Sequence, residues 1–157
     1  MEDAQSIVGL MNPIIQTGKY TVMDEQLSVE DQLEFIHQFP ERGVYHVAVS
    51  NDSQKVLGTQ DVLPISTSES ALKHVGEIAT FVSLTAHRQG IGRSLNQATF
   101  RAAKERGFKK IIATIRVDNP IALAFYQNHN FEIIGTAKKH AFVASKYVDE
   151  VIAEKFL

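Results

Sequence analysis

The sequence predicts an α/β protein, because strand-like and helix-like segments alternate along it. The clearest observation is a strand-like run at residues 77–84 that turns through glycines into a helix-like run beginning at Ile91. A second strand-like run, rich in β-branched residues, follows at 110–117. Together these segments predict a right-handed βαβ-type unit whose two strands lie side by side. Hairpin-like patterns on either side of this unit predict further strands.

Composition sets the limits within which a function can be sought. At 157 residues, with 44% hydrophobic residues, the chain is expected to form a single domain, 1–157, with its own core. A net charge of −2 gives no general attraction to nucleic acid. The absence of cysteine excludes disulfides and cysteine nucleophiles, and the scattered histidines predict no metal site. The acidic start and the lack of a long apolar run predict no membrane partner and a cytoplasmic location.

Two helices are predicted in the first 40 residues. Apolar residues at helical spacing over 3–15 predict an amphipathic helix, which Asn12-Pro13 is expected to end or distort. Ser28 is a predicted N-cap for a second helix, and Pro40 stops it. A helix–loop–helix of this kind often flanks a binding cleft.

The next segments predict an antiparallel hairpin and a loop. Residues 44–49 alternate as a strand does, 51–53 supply turn chemistry, and 56–62 return as a second strand. Residues 64–73 are rich in serine and are predicted to form a loop before the central strand.

The helix after the glycine turn is predicted from an apolar stripe of Ile91, Leu95, Ala98 and Ala102, and Gly107 is expected to close it.

The end of the chain predicts a short helix and two strands. Asn119 is a predicted cap with Pro120 at the first helical position, and Asn130 is expected to take the left-handed conformation after the helix ends near His129. Strands are predicted at 131–137 and 147–156, joined by a hairpin connection of uncertain length.

The segment His87-Arg88-Gln89-Gly90-Ile91-Gly92 is a candidate anion site. The first N–H groups of a helix have no partner inside it, and the helix dipole favours negative charge at that end, so a phosphate fits there. Glycine at 90 and 92 is expected to let the backbone approach such a ligand. A dinucleotide motif would need a third glycine in place of Leu95, and the P-loop lysine is absent. A βα turn that binds nothing is the alternative.

Together with Asn119-x-x-Ala122-x-x-x-Tyr126, this segment resembles the GNAT acyltransferase superfamily, over residues 44–157 most clearly. His87 replaces the arginine or glutamine usual in that family's coenzyme motif. Within the superfamily the chain resembles the phosphinothricin acetyltransferase-like proteins, through Asp3-Ala4, Asn12-Pro13, Thr21, Glu77 and 147–151. The resemblance implies a mixed, mostly antiparallel central sheet whose two parallel central strands splay apart, flanked by helices on both faces. The family's usual first strand is expected to be short or missing.

The resemblance implies acetyl-CoA as cosubstrate. The main chain of the central strand would pair with the pantetheine arm, the N–H groups of the glycine turn would hold the pyrophosphate, and the short helix would face the sulfur. The implied cofactor-binding residues are Phe81, Val82, Ser83, Leu84, His87, Arg88, Gln89, Gly90, Ile91, Gly92, Arg93, Ser94, Asn119, Ala122 and Tyr126. For the last three, the alternative is a capping asparagine, a helix alanine and a packed tyrosine.

Two residues are implied to be catalytic. Glu77 stands ten residues before His87, where the phosphinothricin acetyltransferase-like proteins keep a glutamate, and would accept the amine proton directly or through water. The alternative is a solvent-facing glutamate at a strand start. Tyr126 would donate a proton to the departing thiolate, and an N–H near Phe81 or Val82 would stabilise the oxyanion. Direct attack by the amine is expected, without a covalent enzyme intermediate.

The acceptor is less visible in the sequence. The resemblance suggests a small amino-acid-like amine such as phosphinothricin or methionine sulfoximine, bound between the early helices, loop 64–73 and connection 137–146. A protein N-terminus, as on ribosomal proteins, is the main alternative. A non-catalytic acyl-CoA-binding module and an NAD- or ATP-dependent enzyme are further alternatives. A homodimer is expected by analogy with related proteins.

Overall fold

A six-stranded mixed sheet with helices on both faces makes up the protein, as seen in a computed structural model that describes residues 2–157. The elements in chain order are α1 (Glu2–Gln16), α2 (Val29–His37), β1 (Val44–Val49), β2 (Val56–Pro64), β3 (Val75–Val82), α3 (Ile91–Glu105), β4 (Lys110–Arg116), α4 (Pro120–Asn128), β5 (Glu132–Val143) and β6 (Lys146–Phe156). The strands follow the spatial order β1-β2-β3-β4-β6-β5. Neighbouring strands are antiparallel except β3 and β4, which confirms the predicted α/β class and mixed sheet.

The two parallel strands separate part-way along their length. Their pairing is limited to Val75↔Lys110, Gly76↔Ile111 and Glu77↔Ile112. Beyond that point β3 stays paired with β2 as far as Val82, and β4 stays paired with β6 as far as Arg116. The sheet therefore divides into two halves that diverge after Glu77, and a wedge-shaped opening lies between them.

Each face of the sheet has its own apolar core. Helix α1 and the segment after it pack on one face, in a cluster formed by Ile7, Leu10, Met11, Ile14, Ile15 and Val56. Helices α3 and α4 pack on the other, around Val62, Ile78, Phe108, Ile111, Ala113, Ile115 and Tyr126. Because side chains alternate between faces along a strand, β2, β3 and β4 contribute to both clusters or to the opening. Among the described helices, none has both the length and the apolar character needed to cross a bilayer.

Helix α1 corrects one prediction. Asn12-Pro13 does not end it, because the helix continues to Gln16 with Pro13 inside. A proline inside a helix costs about 3 kcal/mol. Ile14 and Ile15, which follow it, are 3% and 4% exposed, and burying such side chains contributes about 1.5–3 kcal/mol each. Their burial on the sheet offsets the cost of the proline, whose own ring is exposed.

Helix α2 and the first hairpin are as predicted. The Ser28 Oγ accepts a hydrogen bond from the N–H of Asp31 at 3.0 Å, and the Asp31 carboxylate accepts one from the N–H of Ser28 at 2.9 Å. This reciprocal pair starts the helix at the predicted residue. Strands β1 and β2 then form an antiparallel pair, and a short 3₁₀ helix, Ser70–Leu72, interrupts the serine-rich loop before β3.

Helix α3 has the predicted bounds, but its buried face is turned slightly from the predicted stripe. Leu95 is buried as expected, and with it Asn96, Thr99 and Ala103. Apolar spacing could not predict the burial of Asn96 and Thr99, because both are polar and their hydrogen-bond partners come from other elements. The Gln60 Nε2 donates to the Asn96 Oδ1 at 2.6 Å, and a His46 ring nitrogen lies 3.0 Å from the Thr99 Oγ1.

The last hairpin corrects a second prediction. The connection expected at 137–146 is mostly strand, because β5 continues to Val143 and β6 begins at Lys146. The turn is two residues long, Ala144 and Ser145, with φ of 49° and 62°. Two successive positive φ angles form the tight turn that matches strand twist, usually built from asparagine and glycine. Alanine and serine gave no such signal in the sequence.

Candidate active site

The wedge between β3 and β4 opens into a cavity of about 600 Å³. Residues from α1, α2, the segment between them, the central strands and α4 line it. Of the sequence-predicted site residues, the cavity collects Glu77, Phe81, Asn119, Ala122 and Tyr126. Val82, Ser83, Leu84 and the glycine turn, 87–94, do not line this cavity. Val82 is the last residue of β3, and the others follow it along the chain.

The two glycines of the turn are needed for different reasons. Gly90 has a φ of +79°, and a Cβ built on it would meet no atom within 4 Å, so its left-handed backbone explains the residue. A Cβ on Gly92 would lie 2.7 Å from the Phe125 ring of α4. Gly92 is therefore required for the close packing of α3 against α4, whether or not a ligand approaches it.

The backbone of the turn presents unpaired donors. Arg88 and Gly90 both have positive φ, at 61° and 79°. The first helical bond runs from the Ser94 N–H to the Gly90 oxygen at 3.0 Å. In residues 2–157, no acceptor is found for the N–H groups of Ile91, Gly92 and Arg93. With the exposed side chains of Arg88 and Arg93 beside them, these donors make a local environment that favours an anion.

His87 fastens the turn to the end of β3. Its Nε2 lies 3.3 Å from the Val82 carbonyl oxygen, and its ring meets the Tyr20 ring edge-on at 6.5 Å between centroids. The Ser83 N–H donates to the Leu57 oxygen at 2.9 Å. Two backbone groups of the predicted pantetheine-pairing stretch are thus engaged within the protein, and His87 has a structural role that the sequence did not reveal.

Tyr126 reaches the opening from the far face of the sheet. Its ring packs edge-on against Phe125 and Phe131, and its hydroxyl lies 3.0 Å from the Thr80 Oγ1. The Thr80 Oγ1 also accepts a hydrogen bond from the Gln60 Nε2 at 2.8 Å. Burial raises the pKa of the Tyr126 phenol well above its ordinary value, so the hydroxyl keeps its proton.

Glu77 stands at the apex of the wedge. It occupies the last position at which β3 and β4 pair, and its Oε1 accepts a hydrogen bond from the Thr114 hydroxyl of β4 at 2.9 Å. The side chain is exposed, as expected for a solvent-facing glutamate near the start of a strand, but it also lines the cavity.

Two carboxylates of the cavity were missed by sequence reasoning. Asp61 on β2 is 9% exposed, and Glu150 on β6 is 6% exposed. Burial, with the charge of Glu77 as a second cause, raises the pKa of Asp61 to about 7. Burial also raises the pKa of Glu150. The signal in the sequence was Thr59-Gln60-Asp61, three polar residues in the middle of a strand that is otherwise mostly apolar.

Asn119 and Arg116 hold the segment after α1 over the cavity. The Asn119 Oδ1 caps α4 by accepting the Ala122 N–H at 3.1 Å, and its Nδ2 donates to the Tyr20 oxygen at 3.3 Å. The Arg116 Nη1 donates to the Gly18 and Thr21 oxygens at 2.9 and 2.8 Å. The capping role predicted for Asn119 is confirmed, while its contact with a cofactor stays a prediction.

Comparison with known proteins decides the family. The family model described as the acetyltransferase (GNAT) family matches residues 14–131. The chain belongs to this family. The GNAT assignment made from the glycine turn and the Asn119, Ala122, Tyr126 set is thereby confirmed, and so is the fold that it implied.

The proteins most useful for comparison with this GNAT protein are named for different acceptors. It is 35% identical over 100 residues to N-alpha-acetyltransferase 30 of Schizosaccharomyces pombe, and the match covers 62% of this chain and 61% of that protein. The ribosomal-protein-alanine N-acetyltransferase of Brucella melitensis shares its fold with a TM-score of 0.88, 22% identity and coverage of 99% and 95% of the two chains. A phosphinothricin acetyltransferase of Sinorhizobium meliloti, solved with acetyl-CoA, also shares the fold, with a TM-score of 0.89 and 21% identity. That match covers 99% of this chain and 84% of the other.

Proposed function

We propose that the protein is an acetyl-CoA-dependent N-acetyltransferase that moves the acetyl group directly to a primary amine. The observation that carries the proposal is the wedge between β3 and β4, with Glu77 at its apex, the protonated Tyr126 hydroxyl farther along β3 beside Thr80, and the unpaired donors of the glycine turn beyond β3. Acetyl-CoA supplies an activated acyl group when bound, so the protein has mainly to orient an amine against it.

The residues present fit acetyl-CoA. The free N–H groups of Ile91, Gly92 and Arg93 suit a pyrophosphate, and Arg88 and Arg93 add positive charge. Where β3 has left β4, the main chain near Phe81 offers pairing groups to a pantetheine arm. The Ser83 N–H donates to β2, and hydrogen-bonded pairs recur every second residue of an antiparallel ladder, so Phe81, opposite Thr59, also directs its main chain toward β2. Because the Val82 oxygen is engaged by His87, the Thr80 main chain and the Val82 N–H are the candidates for that pairing.

Proton transfers are assigned to two side chains. Glu77, at the apex of the wedge, accepts the proton of the incoming amine directly or through water. An N–H near Phe81 or Val82 stabilises the charge that develops on the carbonyl oxygen. Tyr126 donates its proton to the departing thiolate, a role that requires a protonated phenol, and burial raises the pKa of Tyr126 so that it keeps its proton until then. Thr80 orients the tyrosine, since its hydroxyl lies beside that of Tyr126 and accepts from Gln60.

Free-thiol release from acetyl-CoA in the presence of a panel of amines tests the proposal. We expect release that requires both the amine and the protein. Binding of CoA without release with any amine would instead indicate a non-catalytic acyl-CoA-binding module. Thermal stabilisation by NAD or ATP but not by CoA would indicate a nucleotide enzyme.

The acceptor is proposed to be a small amine. The same fold occurs in a solved structure named for a ribosomal-protein acceptor and in one named for phosphinothricin, so the fold is compatible with both a protein N-terminus and a free amino-acid-like acceptor. The charges of the cavity lining bear on this choice.

We also propose a homodimer formed through the β5–β6 hairpin. Strand β5 is an edge strand, and the hairpin exposes Ile133, Ile134, Phe142 and Tyr147 by 48%, 54%, 58% and 65%. Exposed apolar groups in such a concentration are typical of interaction surfaces. Light scattering on the eluted protein is expected to give twice the chain mass, and a Phe142→Ser variant a smaller mass. The single-domain organisation and the cytoplasmic location stay predictions.

A further inference from the structure

The cavity contains a cluster of hydrogen-bond acceptors away from the apex of the wedge. Asp61, Tyr45 and Gln32 come from β2, β1 and α2, and all three line the cavity. Asp61 and Tyr45 are directly opposed across the β1–β2 ladder, so their side chains share a face. The Gln32 Nε2 donates to the Tyr45 hydroxyl at 3.3 Å, which leaves the Gln32 Oε1 as a further acceptor. We call these three residues the Asp61 subsite.

The carboxylate of this subsite is buried without a partner. Asp61 is 9% exposed, and within residues 2–157 its oxygens accept no hydrogen bond and form no ion pair. A buried carboxylate in that condition is costly unless a cation meets it. The cost is consistent with a site that is completed by a ligand.

Among the described residues that line the cavity, no positively charged side chain is available to bind an anionic ligand. Arg116 is buried, and its donors go to Asp118 at 2.8 Å and to the Gly18 and Thr21 oxygens. His140 is at the exposed rim, with its Nε2 4.0 Å from Glu150. Against these stand Asp61, Glu77 and Glu150. An acceptor with a carboxylate or phosphinate would meet like charges here, at a cost that grows as water is excluded.

The walls between the Asp61 subsite and the wedge are apolar. Leu63 follows Asp61 on the same face of β2 and is opposite Glu77 in the β2–β3 ladder, and Met11 and Leu27 line the cavity from α1 and the segment after it. Such walls suit a methylene chain. The three acceptors of the Asp61 subsite match in number the three donors of an ammonium group.

From these features we infer that the acceptor is a diamine-type molecule, whose distal ammonium binds the Asp61 subsite while its other amine is acetylated at the wedge. The inference rests on the proposed function and names its substrate class. It departs from the amino-acid-like acceptor that the resemblance suggested, because phosphinothricin carries two anionic groups.

Three four-carbon amines that differ in the distal group test the inference, with thiol release from acetyl-CoA as the readout: 1,4-diaminobutane, n-butylamine and 4-aminobutanoate. A charge-assisted hydrogen bond to the distal ammonium should raise kcat/KM for the diamine about tenfold to a hundredfold over butylamine. Aminobutanoate should fall below butylamine. If aminobutanoate equals or exceeds the diamine, the inference is wrong although acetyl transfer itself stands.

Variants localise the preference. Asp61→Asn keeps the shape of the side chain and should bring the diamine-to-butylamine ratio close to one. Tyr45→Phe should reduce the ratio less, and serves if the first variant does not fold. Asp52→Asn, an exposed aspartate in the turn of the same hairpin, is the matched control and should keep the wild-type ratio. An equal loss for all amines in Asp61→Asn would contradict a binding role for the distal ammonium.

A binding measurement separates the inference from the proposed function. Without acetyl-CoA, diaminobutane should raise the Tm of the wild type and of Asp52→Asn more than butylamine does, and should lose this advantage in Asp61→Asn. Stabilisation by the diamine without thiol release would sink the enzymatic proposal but keep the subsite. No advantage of the diamine in either measurement would overturn the inference.

Discussion

Tyr126 combines packing with chemistry. Its ring belongs to the core shared with Phe125 and Phe131, and its hydroxyl emerges at the wedge beside Thr80. A Tyr126→Phe variant keeps the ring and removes the proton donor. We expect kcat to fall about a hundredfold or more, as for the loss of a general acid, with a stability loss of about 1 kcal/mol from the missing hydrogen bond.

Steady-state kinetics with a saturating amine and a denaturant titration measure the two effects of Tyr126→Phe. Thr80→Val is the companion variant, because it leaves the phenol in place but removes its neighbour. Full turnover in Tyr126→Phe would show that the departing thiolate does not need this proton.

Glu77 is tested by the pH dependence of the reaction. Glu77→Gln removes the group proposed to accept the amine proton, so we expect the acidic limb of the kcat/KM profile to be lost along with most of the activity. Thr114→Val removes the hydrogen bond to Glu77 and should keep a displaced acidic limb. An unchanged acidic limb in Glu77→Gln would move the base role to another carboxylate of the cavity, with Asp61 the first to examine.

Asp61 makes stability depend on pH. Its pKa is about 7 in the folded protein and near 3.8 when unfolded, so the native state holds the proton more tightly. The stability from this group is fully present below about pH 4 and is lost as the pH rises to about 7. The free energy of unfolding of Asp61→Asn should therefore rise relative to that of the wild type over this pH range, by up to about 4 kcal/mol.

Chemical denaturation of Asp61→Asn and the wild type at several pH values between 4 and 8 checks this dependence. Asp52→Asn should track the wild type throughout, because Asp52 is exposed. A difference between Asp61→Asn and the wild type that stays constant with pH would mean that Asp61 is ionised normally.

Among individual site residues, the sequence predicted those that belong to a motif and missed those that only their three-dimensional neighbours identify. Glu77 and Tyr126 stand at fixed intervals from the glycine turn, so the pattern could single them out. Asp61 belongs to no pattern. Its surroundings include Tyr45 of the neighbouring strand and Gln32 of α2, and no local interval in the sequence encodes those neighbours.

At the scale of elements, Gly92 sets the distance between α3 and α4. A Cβ there would lie 2.7 Å from the Phe125 ring, next to Tyr126 in sequence. Gly92→Ala should therefore push α4 away, cost about 1–3 kcal/mol from overpacking, and reduce kcat by displacing the tyrosine.

Combining Gly92→Ala with Phe125→Leu gives the helices room again and should recover part of both losses. Denaturation and kinetics on the single and double variants form a double-mutant cycle. Strictly additive effects would contradict a role for this contact.

Element boundaries were predicted well where local chemistry decides them. Ser28 and Asn119 cap their helices, and Gly107 has the left-handed φ of +84° that ends α3. Predictions failed where tertiary packing outweighed local preference. Burial on the sheet keeps α1 helical through Pro13, and pairing with β6 keeps β5 extended through a polar stretch that reads as a loop.

At the scale of the whole molecule, the function depends on a sheet that divides into two halves. One half, β1-β2-β3, carries Asp61 and Glu77, and the other, β4-β6-β5, carries Thr114 and Glu150. Periodicity could predict that β3 and β4 are parallel neighbours, but not that they pair at three positions and then separate. That feature came from the family resemblance, and it is what turns a βαβ unit into a cleft.

The most direct test of the account follows the acetyl group itself. Purified protein is incubated with acetyl-CoA alone and then with diaminobutane, and mass spectrometry measures the intact protein, free CoA and acetylated amine. We predict acetylated amine equal in amount to the CoA released, with the mass of the protein unchanged at both stages. Release of CoA without acetylated amine, or acetyl groups that appear on the protein and disappear when amine is added, would contradict direct transfer in the β3–β4 wedge.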